Sequence, residues 1–245
     1  MRLKDKVAVI TGGSRGLGKA IARRFLEEGA AVVITDTQED RLYRTAEELS
    51  GLGRIESAVM DVSRFDDVQK IIRGITDKYG RVDILVNNAG ITADSQLVNM
   101  TEEQFDSVIA VNLKGVFNCA KAAAPQMIEN GYGRIINISS VSAHNGNFGQ
   151  TNYAASKAGV IAMTQTWARE LGRKGVTVNA VAPGYILTEM VEAVPGKVRE
   201  MIQGKTPVGR LGKPEEIAAA CAYLSSDEAA FVTGAVLRID GGLTL

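Results

Sequence analysis

The chain is poor in the residues that hold together disulfide-stapled, metal-built or membrane proteins. Of its 245 residues two are cysteine, Cys119 and Cys221, and one is histidine, His144. Both cysteines fall within helical patterns and at no metal-ligand spacing. They therefore read as small buried hydrophobes of a reducing compartment, and neither a disulfide nor a metal site is expected. Prolines number only five, and no segment has a low-complexity or disordered composition. No apolar run reaches the roughly 20 residues of a membrane span. Met1 to Lys6 leads straight into a strand pattern rather than a signal peptide, so a cytoplasmic protein with no membrane partner is expected. Net charge is absent as well: 28 basic residues face 28 acidic ones, which leaves no electrostatic footprint for nucleic acid. The local cluster of Arg169, Arg173 and Lys174 reads as a solvated helix end. At 26.1 kDa the chain can build one substantial core, and residues 1–245 are expected to form a single domain.

What the chain does have is alternation. The β-branched run Lys6 to Thr11 stops at Gly12-Gly13-Ser14-Arg15-Gly16-Leu17-Gly18, after which Ala20, Ile21, Phe25 and Leu26 recur at helical spacing. A strand, a glycine loop and a helix in that order let backbone amides at a helix N-terminus approach a pyrophosphate, although a simple tight turn would carry the same glycines. The spacing Thr-Gly-x-x-x-Gly-x-Gly departs from the common Gly-x-Gly-x-x-Gly fingerprint. Ala31 to Thr35 forms a second strand closed by Asp36, about twenty residues on, where a carboxylate can take the hydroxyls of an adenosine ribose or merely cap the next helix. A third strand from Ile55 to Met60 meets Asp61-Val62, positioned to hold adenine. A fourth, Asp83 to Val86, runs into Asn87-Asn88-Ala89-Gly90. The helical pattern from Thr101 to about Asn130 opens with a Thr101–Gln104 capping-box spacing. Inside it, the amide of Asn112 is either exposed or has a specific partner. Arg134–Ile138 ends at Ser139-Ser140, Val176–Val181 precedes Pro183-Gly184, and Ala235–Ile239 is a seventh strand. Strands alternating with helices predict an α/β fold with a parallel, doubly wound sheet, whose ligands bind beyond the carboxyl ends of the strands.

Tyr153 and Lys157 stand four residues apart at the start of a helical pattern, so phenol and ammonium share one face. A neighbouring cation favours the phenolate and would lower the tyrosine pKa from its usual value near ~10. The pair suggests acid–base chemistry, with a shared solvated face as the alternative. His144 lies in the loop after Ser140 without companion ligands and reads as a loop or pocket-wall residue.

Thr11-Gly12-x-x-x-Gly16-x-Gly18, Asn87-Asn88-Ala89-Gly90, Asn112, Ser140, Tyr153-x-x-x-Lys157 and Pro183-Gly184, in this order, make the chain resemble the short-chain dehydrogenase/reductases over nearly its whole length. The resemblance implies a seven-stranded Rossmann-type sheet and a nicotinamide dinucleotide coenzyme. It gives Tyr153 the role of general acid, Ser140 that of polarising the carbonyl, Lys157 that of lowering the tyrosine pKa while binding ribose, and Asn112 that of holding a relay water. Ser139 would support the loop. Coenzyme contacts are expected from Gly12, Ser14, Arg15, Gly16, Leu17 and Gly18, and from Asp36, Asp61 and Val62. Further contacts are expected from Asn88, Ala89 and Gly90, from Tyr153 and Lys157, and from Pro183, Gly184, Ile186 and Thr188.

Asp36 argues for NAD(H), while Arg15 leaves NADP(H) open. A narrower resemblance, through Asn147–Tyr153, Pro183–Pro195 and Pro207–Gly212, is to reductases of acetoacetyl-CoA and of 3-oxoacyl-acyl-carrier proteins. It implies a short 3-oxoacyl thioester or acyl carrier protein as partner and a substrate loop over about 184–212. Phe148, Gln150 and Tyr185 are expected to line the pocket beside Ser140 and Tyr153, and the Tyr185–Pro195 stretch favours the CoA branch. The alternatives are a dehydrogenase of another small or alicyclic secondary alcohol, and a dinucleotide sensor without turnover. A homotetramer built on helices near 101–130 and 152–173, with Phe231–Gly234 and Asp240–Gly242 across a second axis, is also expected.

Overall fold

Each β-branched run of the sequence becomes a strand: β1 Val7–Thr11, β2 Ala31–Asp36, β3 Ile55–Val59, β4 Ile84–Asn87, β5 Gly133–Ile138, β6 Val176–Pro183 and β7 Val236–Ile239. The structure is a computed structural model and describes residues 1–189 and 196–243. All seven strands pair in parallel in the order β3-β2-β1-β4-β5-β6-β7. The doubly wound sheet expected from the sequence is what forms. β6 runs two residues past its expected end because Pro183, which needs no ladder donor of its own, pairs with Ile239.

The helices are α1 Gly16–Glu27, α2 Glu39–Leu49, α3 Phe65–Tyr79, α4 Glu102–Ile109, α5 Gly115–Glu129, α6 Ser142–Asn145, α7 Thr151–Leu171, α8 Gly196–Lys205 and α9 Pro214–Ser225. Side chains alternate across a strand, so the sheet has two apolar faces to cover. Ile10, Ile34 and Ile136 pack with Ile21 and Phe25 of α1, Leu42 of α2 and Ile217 of α9. Their neighbours Val9, Val33 and Ile135 pack on the other face with Val68 and Ile72 of α3 and Met127 of α5. Cys221 belongs to the first core and Cys119 to the second. Burial raises both thiols to about 12, which keeps them protonated and inert. Among the described residues no helix is long and apolar enough to cross a membrane.

The helical pattern expected over 101–130 forms from Glu102 to Glu129, but it is not α-helical throughout. Thr101 and Gln104 close the capping box, each backbone N–H held by the other's side chain at 3.0–3.2 Å. Residues Ala110–Lys114 then widen into a π-helical turn before α5 resumes. Asn112 sits in that turn, completely buried. Its amide is drawn inward onto the chain beyond β4, and one extra residue in the turn accommodates the pull.

After β3 the chain crosses to the far side of β1 to lay down β4. The loops after β1 and β4 therefore diverge and open a crevice at the carboxyl edge of the sheet.

Candidate active site

The crevice is a cleft of about 360 Å³. Its first wall is the turn from β1 into α1. Gly12 has φ +63°, and a Cβ there would stand 2.9 Å from the Ala89 Cα, so only glycine lets the two loops meet. The Thr11 hydroxyl accepts the N–H groups of Asn88 and Ala89, both at 3.0 Å. In return, the Asn88 amide donates to the carbonyls of Thr11 and Gly12 at 2.9 and 3.0 Å. The N-cap of α1 is Arg15, which provides no side-chain cap, and the first turn contains no acidic residue. The free N–H groups and the positive end of the helix dipole are thus left for an anion.

Gly12, Arg15, Gly16 and Leu17 line the cleft, as do Asp36, Asp61 and Val62. Asn88, Ala89 and Gly90 continue the wall, which ends at Pro183, Gly184, Ile186 and Thr188. Two expected coenzyme contacts do not line it. Ser14 is buried and turned away, its hydroxyl donating to Asp36 Oδ2 at 2.5 Å. Gly18 lies beneath the loop, where a Cβ would collide with the Gly12 carbonyl. Ser14 therefore fixes the carboxylate that faces the cleft, and Gly18 fixes the loop. The other oxygen of Asp36 accepts the N–H groups of Thr37 and Gln38 at 2.8 and 3.2 Å. Asp61 is held in the same way by the N–H and hydroxyl of Ser63. Arg15 is not free: Glu189 approaches its guanidinium at 3.9 Å and that of Arg41 at 3.4 Å.

At the other end β5 delivers the two serines in different directions. Ser139 donates to the Lys157 carbonyl at 2.9 Å and supports α7. Ser140 lines the cleft with Tyr153 and Lys157, and its oxygen accepts the Ser142 N–H at 3.2 Å. Lys157 is buried, donates to the Ile138 carbonyl at 2.8 Å, and lies 5.7 Å from the centre of the Tyr153 ring.

The pKa of Tyr153 moves the opposite way to the expectation. Burial raises it, the hydrogen bond with Ser140 draws it partly back, and the charges of Asp94 and Tyr185 push it up again. Burial also lowers the pKa of Lys157, to about 8. The sequence shows the pairing of the two residues but not the desolvation that decides the sign. A phenol so placed keeps its proton at neutral pH and is ready to donate it.

Asn112 does not line the cleft. Its Oδ1 accepts the Ile91 N–H at 2.8 Å and its Nδ2 donates to the Ile91 carbonyl at 2.9 Å. The amide thus clamps the chain after Gly90.

Of the expected substrate residues Ser140 and Tyr153 line the cleft, whereas Phe148, Gln150 and Tyr185 do not. Phe148 is 82% exposed. It follows Asn147, whose Oδ1 takes the Phe148 N–H at 3.0 Å and whose amide donates to Gln150 and to the Tyr185 phenol at 3.1 and 3.3 Å. Gln150 donates to Asp94 at 2.9 Å. Asn147, Gln150 and Tyr185 are thus bonded to one another and to Asp94, and Phe148 beside them stands in solvent. His144 is exposed on the short helix α6. The Met190–Pro195 part of the narrower motif lies outside the described residues.

Met60, Ile91, Val111, Ile138 and Glu189 line the cleft without having been singled out. Met60, Ile91 and Ile138 adjoin strand-end residues that were, so the rule about carboxyl ends points to them. Val111 and Glu189 have no such signal.

The donor set suits a dinucleotide: a bare helix N-terminus for the pyrophosphate, a fixed carboxylate at one end and a buried ammonium at the other. The family described as enoyl-(acyl carrier protein) reductase matches residues 12–244. The 3-oxoacyl-[acyl-carrier-protein] reductase FabG of Thermotoga maritima is 50% identical over 100% of both chains. The (2S)-[(R)-hydroxy(phenyl)methyl]succinyl-CoA dehydrogenase subunit BbsD of Thauera aromatica is 44% identical over 100% of this chain and 99% of that one. A crystal structure from Agrobacterium tumefaciens described as a gluconate dehydrogenase superposes with a TM-score of 0.95 at 33% identity, over 98% of this chain and 96% of that one. With a family match from the glycine loop to the last described strand and relatives this similar end to end, the chain belongs to the short-chain dehydrogenase/reductases, oxidoreductases that use a nicotinamide dinucleotide.

Proposed function

We propose that the protein reduces a short 3-oxoacyl thioester to the 3-hydroxyacyl thioester, with Tyr153 as proton donor. The observation that carries this is Tyr153, its pKa raised by burial and its phenol hydrogen-bonded with Ser140, in the same cleft that Gly12, Asp36 and Lys157 line. Two hydroxyl donors converging on one point suit an oxygen that gains negative charge. When bound, the dinucleotide supplies the hydride. Ser140 hydrogen-bonds the ketone oxygen, Tyr153 gives it a proton, and Lys157 holds the nicotinamide ribose from the floor of the cleft. Asn112 keeps Ile91 and Gly90 against that floor.

The names of two relatives support the substrate class, since one denotes a 3-oxoacyl carrier-protein reductase and the other a CoA-thioester dehydrogenase. The carrier, acyl carrier protein or CoA, stays open between them. NAD(H) is the preferred coenzyme on the strength of the fixed Asp36, and a cytoplasmic location fits this chemistry. A secondary-alcohol dehydrogenase is the second proposal, favoured by the likeness to the gluconate dehydrogenase structure. A sensor without turnover would not need a protonated phenol in this position. Coenzyme oxidation with acetoacetyl-CoA, a 3-oxoacyl carrier protein and cyclic ketones separates these. Turnover of at least one thioester well above the ketones is expected, and good ketone turnover with neither thioester reduced would promote the second proposal.

The protein is further proposed to work as a homotetramer. Phe105 of α4, Phe117 of α5 and Phe231, in the turn before β7, are exposed, Phe231 fully so, and exposed aromatic rings favour a partner. Sedimentation at micromolar concentration is expected to show a species of four chains; a 26.1 kDa monomer alone would refute it.

A further inference from the structure

Asn152, the residue before Tyr153, is completely buried yet does not line the cleft. Its amide is fully used. Nδ2 donates to the Ala93 carbonyl at 2.9 Å and to the Gln104 carbonyl at 3.0 Å, while Oδ1 accepts the Tyr153 N–H at 2.7 Å. One side chain thus joins the loop after β4, helix α4 and the first turn of α7, segments 48 and 59 residues away in sequence. The attachment falls on the peptide that carries Tyr153. On the loop side it falls next to Asp94, whose charge raises the Tyr153 pKa.

We propose that Asn152 is a positioning residue for proton transfer: it sets the height of the Tyr153 phenol above the cleft and its distance from the 91–99 loop. No other side chain of similar size offers two donors and an acceptor at once. Aspartate would turn carboxylate oxygens toward two carbonyls, and alanine would leave both carbonyls and the Tyr153 N–H without it. A reacting group displaced by about 1 Å can cost on the order of 100-fold in rate. Because its bonds go only to the backbone of Ala93, Gln104 and Tyr153 and none reaches the glycine loop, Asp36 or Lys157, binding of the dinucleotide should register the change far less than turnover does.

This inference rests on Tyr153 being the proton donor, and the two fail separately. Wild-type turnover in Tyr153→Phe removes the donor assignment, whereas the Asn152 proposal is tested by a split between chemistry and binding. In Asn152→Ala, kcat is expected to fall about 30- to 100-fold while the Kd for NADH, read by fluorescence, stays within about threefold. The deuterium isotope effect on kcat with coenzyme labelled at the transferred position should rise, because the chemical step becomes limiting. If the alanine variant does not fold, Asn152→Ser keeps one donor and should show the same split at smaller size. A folded variant with kcat within threefold of the parent overturns the proposal. So does a loss of kcat matched by an equal loss of coenzyme affinity, the mark of a purely structural role.

Discussion

Tyr153→Phe is expected to lower kcat for ketone reduction by about 10²- to 10⁴-fold, the range for a general acid, while changing the NADH dissociation constant less than about twofold. Phenylalanine fills the same space, so the half-buried ring is retained and only the hydroxyl is lost. Ser140 then faces the carbonyl oxygen as sole donor. It can stabilise charge there but has no acidic proton to give at neutral pH. The pH profile separates this loss from a change at Lys157. Burial lowers the Lys157 pKa to about 8, so its ammonium is complete below that value and is lost as pH rises through it. The kcat/KM for NADH, which reports the free enzyme, should therefore bend down near pH 8 in the parent and keep that limb in Tyr153→Phe. The tyrosine, whose pKa is raised, should add no limb below its ordinary range. Parent-like turnover in the phenylalanine variant would remove Tyr153 from its assigned role.

The second large effect concerns the coenzyme. NADH is expected to exceed NADPH in kcat/KM by roughly 10- to 150-fold, the equivalent of ~1.4–3 kcal/mol. Asp36 is held at one oxygen by Ser14 and at the other by two backbone N–H groups, so it cannot swing away from a 2′-phosphate. Arg15, the residue that could welcome that phosphate, already has Glu189 beside its guanidinium. An exposed ion pair of that length contributes little, so the arginine can be recruited and the preference is not absolute. Asp36→Ala should move the ratio toward NADPH by removing the repulsion and the ribose acceptor together. A tenfold advantage for NADPH in the parent would show that Arg15 and Arg41 outweigh the carboxylate.

The parts of this site that could be read in advance depend on backbone periodicity and on the order of motifs. The strand ends at Thr11, Asp36, Asn87 and Ile138 follow from β-branched runs interrupted by glycine, amide or hydroxyl residues. A parallel sheet then gathers them at one edge. Tyr153 and Lys157 were legible because helical spacing sets them on one face. What escaped depends on the direction of a side chain or on its solvation. Nothing in the local pattern distinguishes Ser14, turned under Asp36, from a serine turned toward a ligand. The π-turn around Asn112 arises from a bond to Ile91, 21 residues away. Phe148 stands in solvent while its polar neighbours Asn147 and Gln150 bond to each other, and the upward pKa of Tyr153 comes from burial that only the assembled cleft creates. Asn152 belongs here as well. Its sequence context is an ordinary helix start, and its importance appears only where three segments meet.

Coenzyme deuterated at the nicotinamide carbon that gives up its hydride, mixed with the protein and either acetoacetyl-CoA or the corresponding 2-enoyl-CoA, distinguishes reduction of a carbonyl from reduction of a carbon–carbon double bond. The double bond is the substrate that the matched family's description would suggest. The expected result is one deuterium on carbon 3 of a 3-hydroxybutyryl thioester and no consumption of the enoyl thioester. Saturation of the enoyl thioester with acetoacetyl-CoA left untouched would contradict a site built to protonate a ketone oxygen.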